Sequence, residues 1–497
     1  MDKDMKKDGR MFSRRGFLKA LGIGATVTAT ASIVGCDGKR TTQTVSEGTE
    51  TGPVPTDKMT YRTTPTTSDK VSILGYGCMR LPTLPVPKGE DENEAELDQE
   101  TINRLTDYAI EHGVNYFDTS PAYCKGRSEH AMGIALSRHK RSEYLIATKL
   151  SNFSPDSWSR SASEEIYYNS FKELQVDTID YMLLHAIGMP AKLDDGTELD
   201  GMTAMERRYL DNGMLDFLVE ERKKGKIRNL GFSYHGDIAC FERLLKMQDD
   251  GQIRWDFVQI QLNFVDWKHA KEVNTRNTNA EYLYNELLKR NIPATIMEPL
   301  LGGRLSKVAD HIVATLKQRS PTNSVASWSF RFAGSLPGVL SVLSGMTYME
   351  HLQDNIRTYS PLKPLSEDDL AFLERTAQQM LQFPTIPCND CKYCMPCPYG
   401  LDIPGIFVHY NKCVNEGNVP SSLQDKEYAK QRRIFLIGYD RSVPKLRQAD
   451  HCTACGQCMA HCPQGIQIPD ELYKIDRYVE TLKQGIQPLD LHAKADS

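Results

Sequence analysis

Eight of the chain's 13 cysteines stand in two short arrays: Cys388, Cys391, Cys394 and Cys397 before Pro398, and Cys452, Cys455, Cys458 and Cys462 before Pro463. Thiolates are soft ligands, and three at C-x-x-C-x-x-C spacing can wrap one cubane while a fourth, followed by proline, reaches the other cluster of a pair. The spacing predicts two [4Fe-4S] clusters with crossed ligation. Cys388, Cys391, Cys394 and Cys462 hold one, and Cys452, Cys455, Cys458 and Cys397 the other. Paired C-x-x-C units also suit tetrahedral zinc or a disulfide framework, but two full arrays with Cys-Pro ends match clusters more specifically. One interval is irregular: two residues separate Cys394 from Cys397, where the second array has three before its last cysteine. Cys413 is the substitute ligand if Cys397 is displaced, although a cysteine in the helix-patterned stretch 406–414 more often packs.

A second set of reactive side chains ends short apolar runs. Between about residues 70 and 345, runs at Val71–Tyr76, Val114–Asp118, Tyr144–Leu150, Thr178–His185, Ile227–Ser233, Phe257–Asn263, Ala294–Glu298 and Val339–Ser344 alternate with helix-patterned segments. Eight such repeats predict a parallel sheet closed into a (β/α)8 TIM barrel, whose chemistry collects where the strands end. Asp118, Lys149, His185 and Ser233 fall at or near four consecutive ends. Alone, each could be a cap, a solvated charge or a satisfied core group; together they converge on one mouth.

The stretch Asn115–Tyr123, followed by Ser128-Glu129 and Gly133, resembles the signature of the aldo/keto reductase superfamily, and Ala147–Lys149 and Asp180–His185 resemble its next blocks. The likeness runs from roughly residue 59 to 360 and includes the tetrad Asp118, Tyr123, Lys149 and His185. It implies carbonyl–alcohol interconversion. Tyr123 protonates the developing alkoxide, Lys149 draws the phenol pKa down from its usual value, Asp118 holds the lysine, and His185 steers the substrate oxygen. It also implies an NAD(P)H site with Ser233 and Gln259 on the carboxamide, Met297 where an aromatic residue usually stacks, and Asn355 in the adenosine-phosphate block. Tyr234 replaces the usual asparagine after Ser233, and His351 stands where an arginine is usual, so NADP preference is not implied.

The ends set the context. Ser13–Lys19 contains Arg14-Arg15 ahead of a mildly apolar stretch closing on Ile33-Val34-Gly35-Cys36, which resembles a twin-arginine export signal with a lipoprotein box. The predicted organisation is a signal over 1–36, a tether over 37–58, the barrel over 59–376, and a smaller, mostly α-helical ferredoxin-like iron–sulfur domain over 377–497. A net charge of −5 gives no reason to expect nucleic acid. Membrane attachment is expected only through a lipid on Cys36, on the periplasmic side of a bacterial membrane. Dissociable NAD(P)H is scarce there, so the arrays are expected either to recycle a nicotinamide exported tightly bound or to receive electrons from substrate oxidation, exchanging them with a redox partner protein, flavin or quinone. The competing expectation is an electron-transfer subunit of a membrane-associated redox complex, with the barrel as scaffold. The loops Asn152–Arg160 and Gly188–Leu210 fall where substrate specificity resides in barrels, and the second reads as a solvated charged loop more than as an open polar cleft for a sugar-like carbonyl or polyol.

Overall fold

Short apolar runs buried on both faces build eight strands in the computed structural model, which describes residues 52–86, 95–274, 276–381 and 385–489. They are β1 (Leu74–Gly77), β2 (Tyr116–Asp118), β3 (Leu145–Leu150), β4 (Ile179–Ile187), β5 (Ile227–Tyr234), β6 (Phe257–Gln261), β7 (Ala294–Met297) and β8 (Val339–Ser344). All neighbours are parallel, and β5 and β6 join the ring to close the barrel in chain order. The signal, including Cys36, and residues 37–51 of the expected tether lie outside the described residues; of the remainder, the Gly52 carbonyl accepts from Arg357 Nη2 (2.7 Å) and Val54 packs against the barrel's core. Among the described residues no helix is long and apolar enough to cross a membrane.

Alternation along the strands stacks the barrel interior in layers. Tyr116, Ala147, Leu183 and Phe257 belong to the inner apolar cluster, with Tyr181 edge-on to Tyr116 and to Phe257 at 5.1 Å in each case. Two residues further along the same strands, on the same face, come Asp118, Lys149, His185 and Gln259. The apolar layer thus becomes the floor of a polar one. Between strands and helices lies the larger core, including Phe117, Met132, Leu184 and Phe232.

The first apolar run does not remain a single strand. Lys70–Ser72 pairs antiparallel with Tyr61–Thr63, and the Ser72 hydroxyl donates to the Leu74 carbonyl (2.7 Å) at the break. Helix Glu367–Leu381 crosses residue 376, the expected end of the barrel, and packs Leu373 and Ala377 into the barrel's core.

Beyond it, helices Ile403–Asn415, Tyr428–Ser442 and Ile468–Gln484 pack Phe407, Phe435, Tyr439 and Tyr478 into a separate core. The last helix has a proline in its first turn and buries Ile468, Leu472, Ile475, Val479 and Leu482 along one stripe, the spacing of an amphipathic helix. Barrel and module belong to one compact unit. The module sits against the loops that follow β1, β6 and β7: Arg80 donates to the Asn389 carbonyl, Asn274 to the Gln464 carbonyl, and Asn389 Nδ2 to Glu298 Oε1 (3.0 Å).

Candidate active site and cluster-binding thiols

Lys149, on β3, and Asp118, at the end of β2, form a buried pair: Lys149 Nζ donates to Asp118 Oδ1 (2.5 Å) and to the Thr119 carbonyl (2.8 Å). The ammonium also lies 4.7 Å from the centroid of the Tyr123 ring. Tyr123 and His185 meet edge to face at 5.9 Å. The structure therefore brings all four tetrad residues together. The direction of the Tyr123 shift differs from expectation. Burial of its hydroxyl end, then the negative charge of Asp118, raise its pKa well above the usual phenol value, with Cys78, Glu298 and Cys124 adding to the rise. Lys149 sits on the ring face, and at the hydroxyl, burial and the charge of Asp118 prevail.

His185 is held neutral. Burial, reinforced by the positive charge of Lys149, depresses its pKa well below the usual imidazole range. Its Nδ1 lies 2.6 Å from Ser151 Oγ and 3.4 Å from Ser120 Oγ. Its carbonyl accepts from Arg208 Nη2 (2.8 Å), and Tyr209 lies against the same peptide, its oxygen 3.0 Å from the His185 N–H. Arg208 and Tyr209 occupy a π-helical turn, Glu206–Leu210, and are buried. This end of the Gly188–Leu210 loop is structural support for the histidine, not a solvated charge cluster. Sequence reasoning missed Ser120, Ser151, Arg208 and Tyr209; Ser151, two residues beyond Lys149, was the available signal.

The expected nicotinamide residues share the mouth, but their polar atoms are engaged inside the barrel. Ser233 Oγ accepts from the Ala186 N–H (2.8 Å), Gln259 Nε2 donates to Asp118 Oδ2 (3.0 Å), and Asn355 Nδ2 donates to Ser344 Oγ (3.0 Å). Met297 ends β7, and the next residue, Glu298, has a buried Oε2 with no hydrogen-bond partner. A β-carbon on Gly302, in the loop after β7, would collide with Asn389 of the module. A closely covered loop beside a buried carboxylate is a poor seat for the phosphates of a dinucleotide. Each of the bonds of Ser233, Gln259 and Asn355 uses one polar atom of its side chain, so none of them by itself excludes a nicotinamide nucleotide, and the module borders the loop after β7.

The thiols fit clusters. Cys388 and Cys391 each interact electrostatically with Cys462, and Cys394 with Cys391, Cys388 and Cys462 and also with Cys458, the side on which the two sets adjoin. Cys458 pairs in the same way with Cys397, Cys452 and Cys455. These are the two crossed sets. The second lines one cavity of about 210 Å³ walled by Leu401, Ile403 and Leu472. Among the described residues no three His, Cys, Asp or Glu close on a single metal ion; thiols around a volume suit a polynuclear cluster better than one tetrahedral zinc. Burial pushes Cys388 up to about 12 and Cys391 and Cys458 up to about 11, as expected for buried thiols without a bound cation. When bound, [4Fe-4S] clusters supply one-electron transfer. Cys397 lies with the second set despite its short interval. Cys413 is instead buried in helix Ile403–Asn415, its sulfur 3.5 Å from His409 Nε2.

The first set lies beside the barrel mouth. Tyr393, between Cys391 and Cys394, interacts with Tyr123, Cys391, Cys124 and Arg80. A cavity of about 40 Å³ remains between the two parts, lined by Tyr234, His235, Asp266 and Arg276 from the barrel and Met459 and Cys462 from the module.

Comparison with known proteins matches residues 74–377 to the aldo/keto reductase family and residues 387–466 to the 4Fe-4S dicluster domain. An oxidoreductase of Bacillus subtilis (strain 168), YqkF, is 25% identical over 329 residues, covering 63% of this chain and 95% of that protein. L-galactose dehydrogenase of Arabidopsis thaliana is 30% identical over 133 residues, 26% of this chain and 39% of that protein. Among solved structures, an aldo-keto reductase from Bacillus halodurans aligns with a TM-score of 0.48 at 20% identity, covering 64% of this chain and 96% of that one. The family match spans more than half of the chain, and the protein belongs to the aldo/keto reductase family as an oxidoreductase with a C-terminal 4Fe-4S dicluster domain.

Proposed function

We propose that the protein reduces a small-molecule carbonyl to an alcohol at Asp118, Tyr123, Lys149 and His185, with electrons reaching the barrel by way of the dicluster module. The observation that carries this reading is the docking of the first thiol set at the barrel mouth, where Asn389, next to Cys388, bonds Glu298 and its carbonyl accepts from Arg80. The reaction adds two electrons and two protons to C=O. Neutral His185 orients the carbonyl oxygen, and Tyr123, kept protonated by its raised pKa, gives its proton to that oxygen. The electron pair and the carbon-bound hydrogen come from a reduced carrier of flavin or quinone class. We further propose export by the twin-arginine route and lipid attachment at Cys36, because the N-terminal residues resemble that signal and a reductase fed through clusters need not draw on cytoplasmic NAD(P)H.

The test uses anaerobically purified, reduced holoprotein and a panel of aldehydes and ketones. A substrate reoxidises the clusters, and Tyr123→Phe slows that reoxidation about 10²- to 10⁴-fold, the usual contribution of general acid catalysis. Unchanged reoxidation in Tyr123→Phe would make the barrel a scaffold and the protein an electron-transfer subunit.

A further inference from the structure

The barrel presents three guanidinium groups to the first thiol set, each from a different loop. Arg80, just after β1, donates to the Asn389 carbonyl and lies 3.5 Å from the Asp390 carbonyl, within the segment between Cys388 and Cys391, and it interacts with Cys391. Arg304, after β7, donates to Thr385 Oγ1 just ahead of Cys388 and interacts with that thiol. Arg276, after β6, lies so close to Gly465 that a β-carbon there would strike it, and it interacts with Cys462. Three of the four thiols thus face a barrel arginine. Carboxylates share the neighbourhood: Asp390 beside Cys388, Glu298 beside Cys391, and Asp266 beside Arg304. In the second set, the leading charge partners of Cys458 are thiols.

Arginine stays charged under all working conditions. A cluster gains negative charge on reduction, so a fixed cation near its ligands stabilises the reduced state, and net surrounding charge is one determinant of cluster potential. We propose that Arg80, Arg276 and Arg304 form a cationic collar, supplied by the barrel, that raises the reduction potential of the barrel-side cluster above that of its neighbour. Electrons then rest at the cluster beside Tyr123. Docking of the module and the direction of electron flow become one feature: the barrel sets the potential of its own donor. The inference rests on the two-cluster reading of the proposed function, and the arginines act as positioning residues for charge rather than in proton transfer.

The test is an EPR-monitored redox titration of full-length, anaerobically purified holoprotein, preceded by iron and sulfide counting. The barrel-side signal is assigned with Cys462→Ser. The expected result is a higher potential for that signal. Arg80→Gln should shift its reduced-to-oxidised ratio at fixed potential about tenfold toward the oxidised form, about 59 mV for one electron, without moving the other signal. Arg80→Lys should restore most of the loss, and Arg304→Gln should act in the same direction. If Arg304→Gln fails to fold, the Arg80 pair decides. Unchanged potentials in Arg80→Gln, or equal movement of both signals, would overturn the collar. A count below two clusters would overturn the cluster reading and the collar with it.

Discussion

The barrel mouth has two unlike halves. On the β2–β4 side, Asp118, Lys149 and His185 stand one layer above the apolar floor, with Tyr123 over them. On the β5–β8 side, Ser233, Gln259 and Asn355 have polar partners within the barrel, and the loop after β7 is covered by Asn389. One half holds the groups proposed to handle a proton and a carbonyl oxygen, and the other borders the module. The demand for acid catalysis is fixed by the substrate bond, whereas the electron source can change without altering it, so the two halves are free to diverge.

The largest expected effect breaks the proton-handling half. Lys149→Met leaves Asp118, whose side chain is 3% exposed, buried with only Gln259 as a hydrogen-bond donor. Stranding one member of a buried ion pair costs about 3–5 kcal/mol. All four tryptophans lie in the barrel, so urea unfolding followed by their fluorescence reads the loss. Adding Asp118→Asn should recover much of it; a double variant as unstable as the single one would show that the pair is not the source.

The covered half should respond more modestly. Gly302 has φ +66°, a left-handed conformation, and a β-carbon there would meet the Asn389 backbone. Gly302→Ala should cost about 1–2 kcal/mol from backbone strain alone, with added displacement of the module. Hydrogen exchange should accelerate in residues 385–392 while β2–β4 keep their protection. Loss of protection in both halves together would mean that the mouth is one cooperative element.

The same division governs what could be read from sequence. Tetrad positions were legible because strand ends in a barrel converge whatever the loops do, and Cys spacing was legible because cluster ligation is local. The internal bonds of Ser233, Gln259 and Asn355 were not, since each depends on a partner chosen by packing; Gln259 and Asp118 are 141 residues apart. The contact between Asn389 and Glu298 joins two domains across 91 residues, with no pattern in either segment to announce it. Lys149 was correctly placed near Tyr123, but only the geometry shows it against the ring face with its charge matched by Asp118. The helix Ile468–Gln484 has an amphipathic period legible in its sequence, just beyond the last cysteine of the second array.

pH offers a further comparison of the halves, read as a difference between two titration windows. Behind Lys149, Glu129 is buried on helix Ser128–Leu136 and accepts from Thr148 Oγ1 (2.5 Å); burial pushes its pKa up to about 7 from 4.5. On the covered side, burial likewise raises Asp266 to about 6 from 3.8. A raised carboxyl pKa means that the folded state binds the proton more tightly than the unfolded chain. Each group therefore lowers stability as pH rises from its unfolded to its folded value, after which the penalty stays constant. About 2.5 units at Glu129 corresponds to about 3 kcal/mol as an upper bound, because relaxation around a buried carboxylate reduces it. Glu129→Gln should be less pH-sensitive than wild type between pH 4.5 and 7 and relatively more stable above that range, while Asp266→Asn should flatten the window from 3.8 to 6. Thermal unfolding from pH 4 to 8 separates the two by where each difference levels off. Coincident windows would mean that the two carboxyls titrate as one coupled system across the mouth, and the division between its halves would then not extend to their protons.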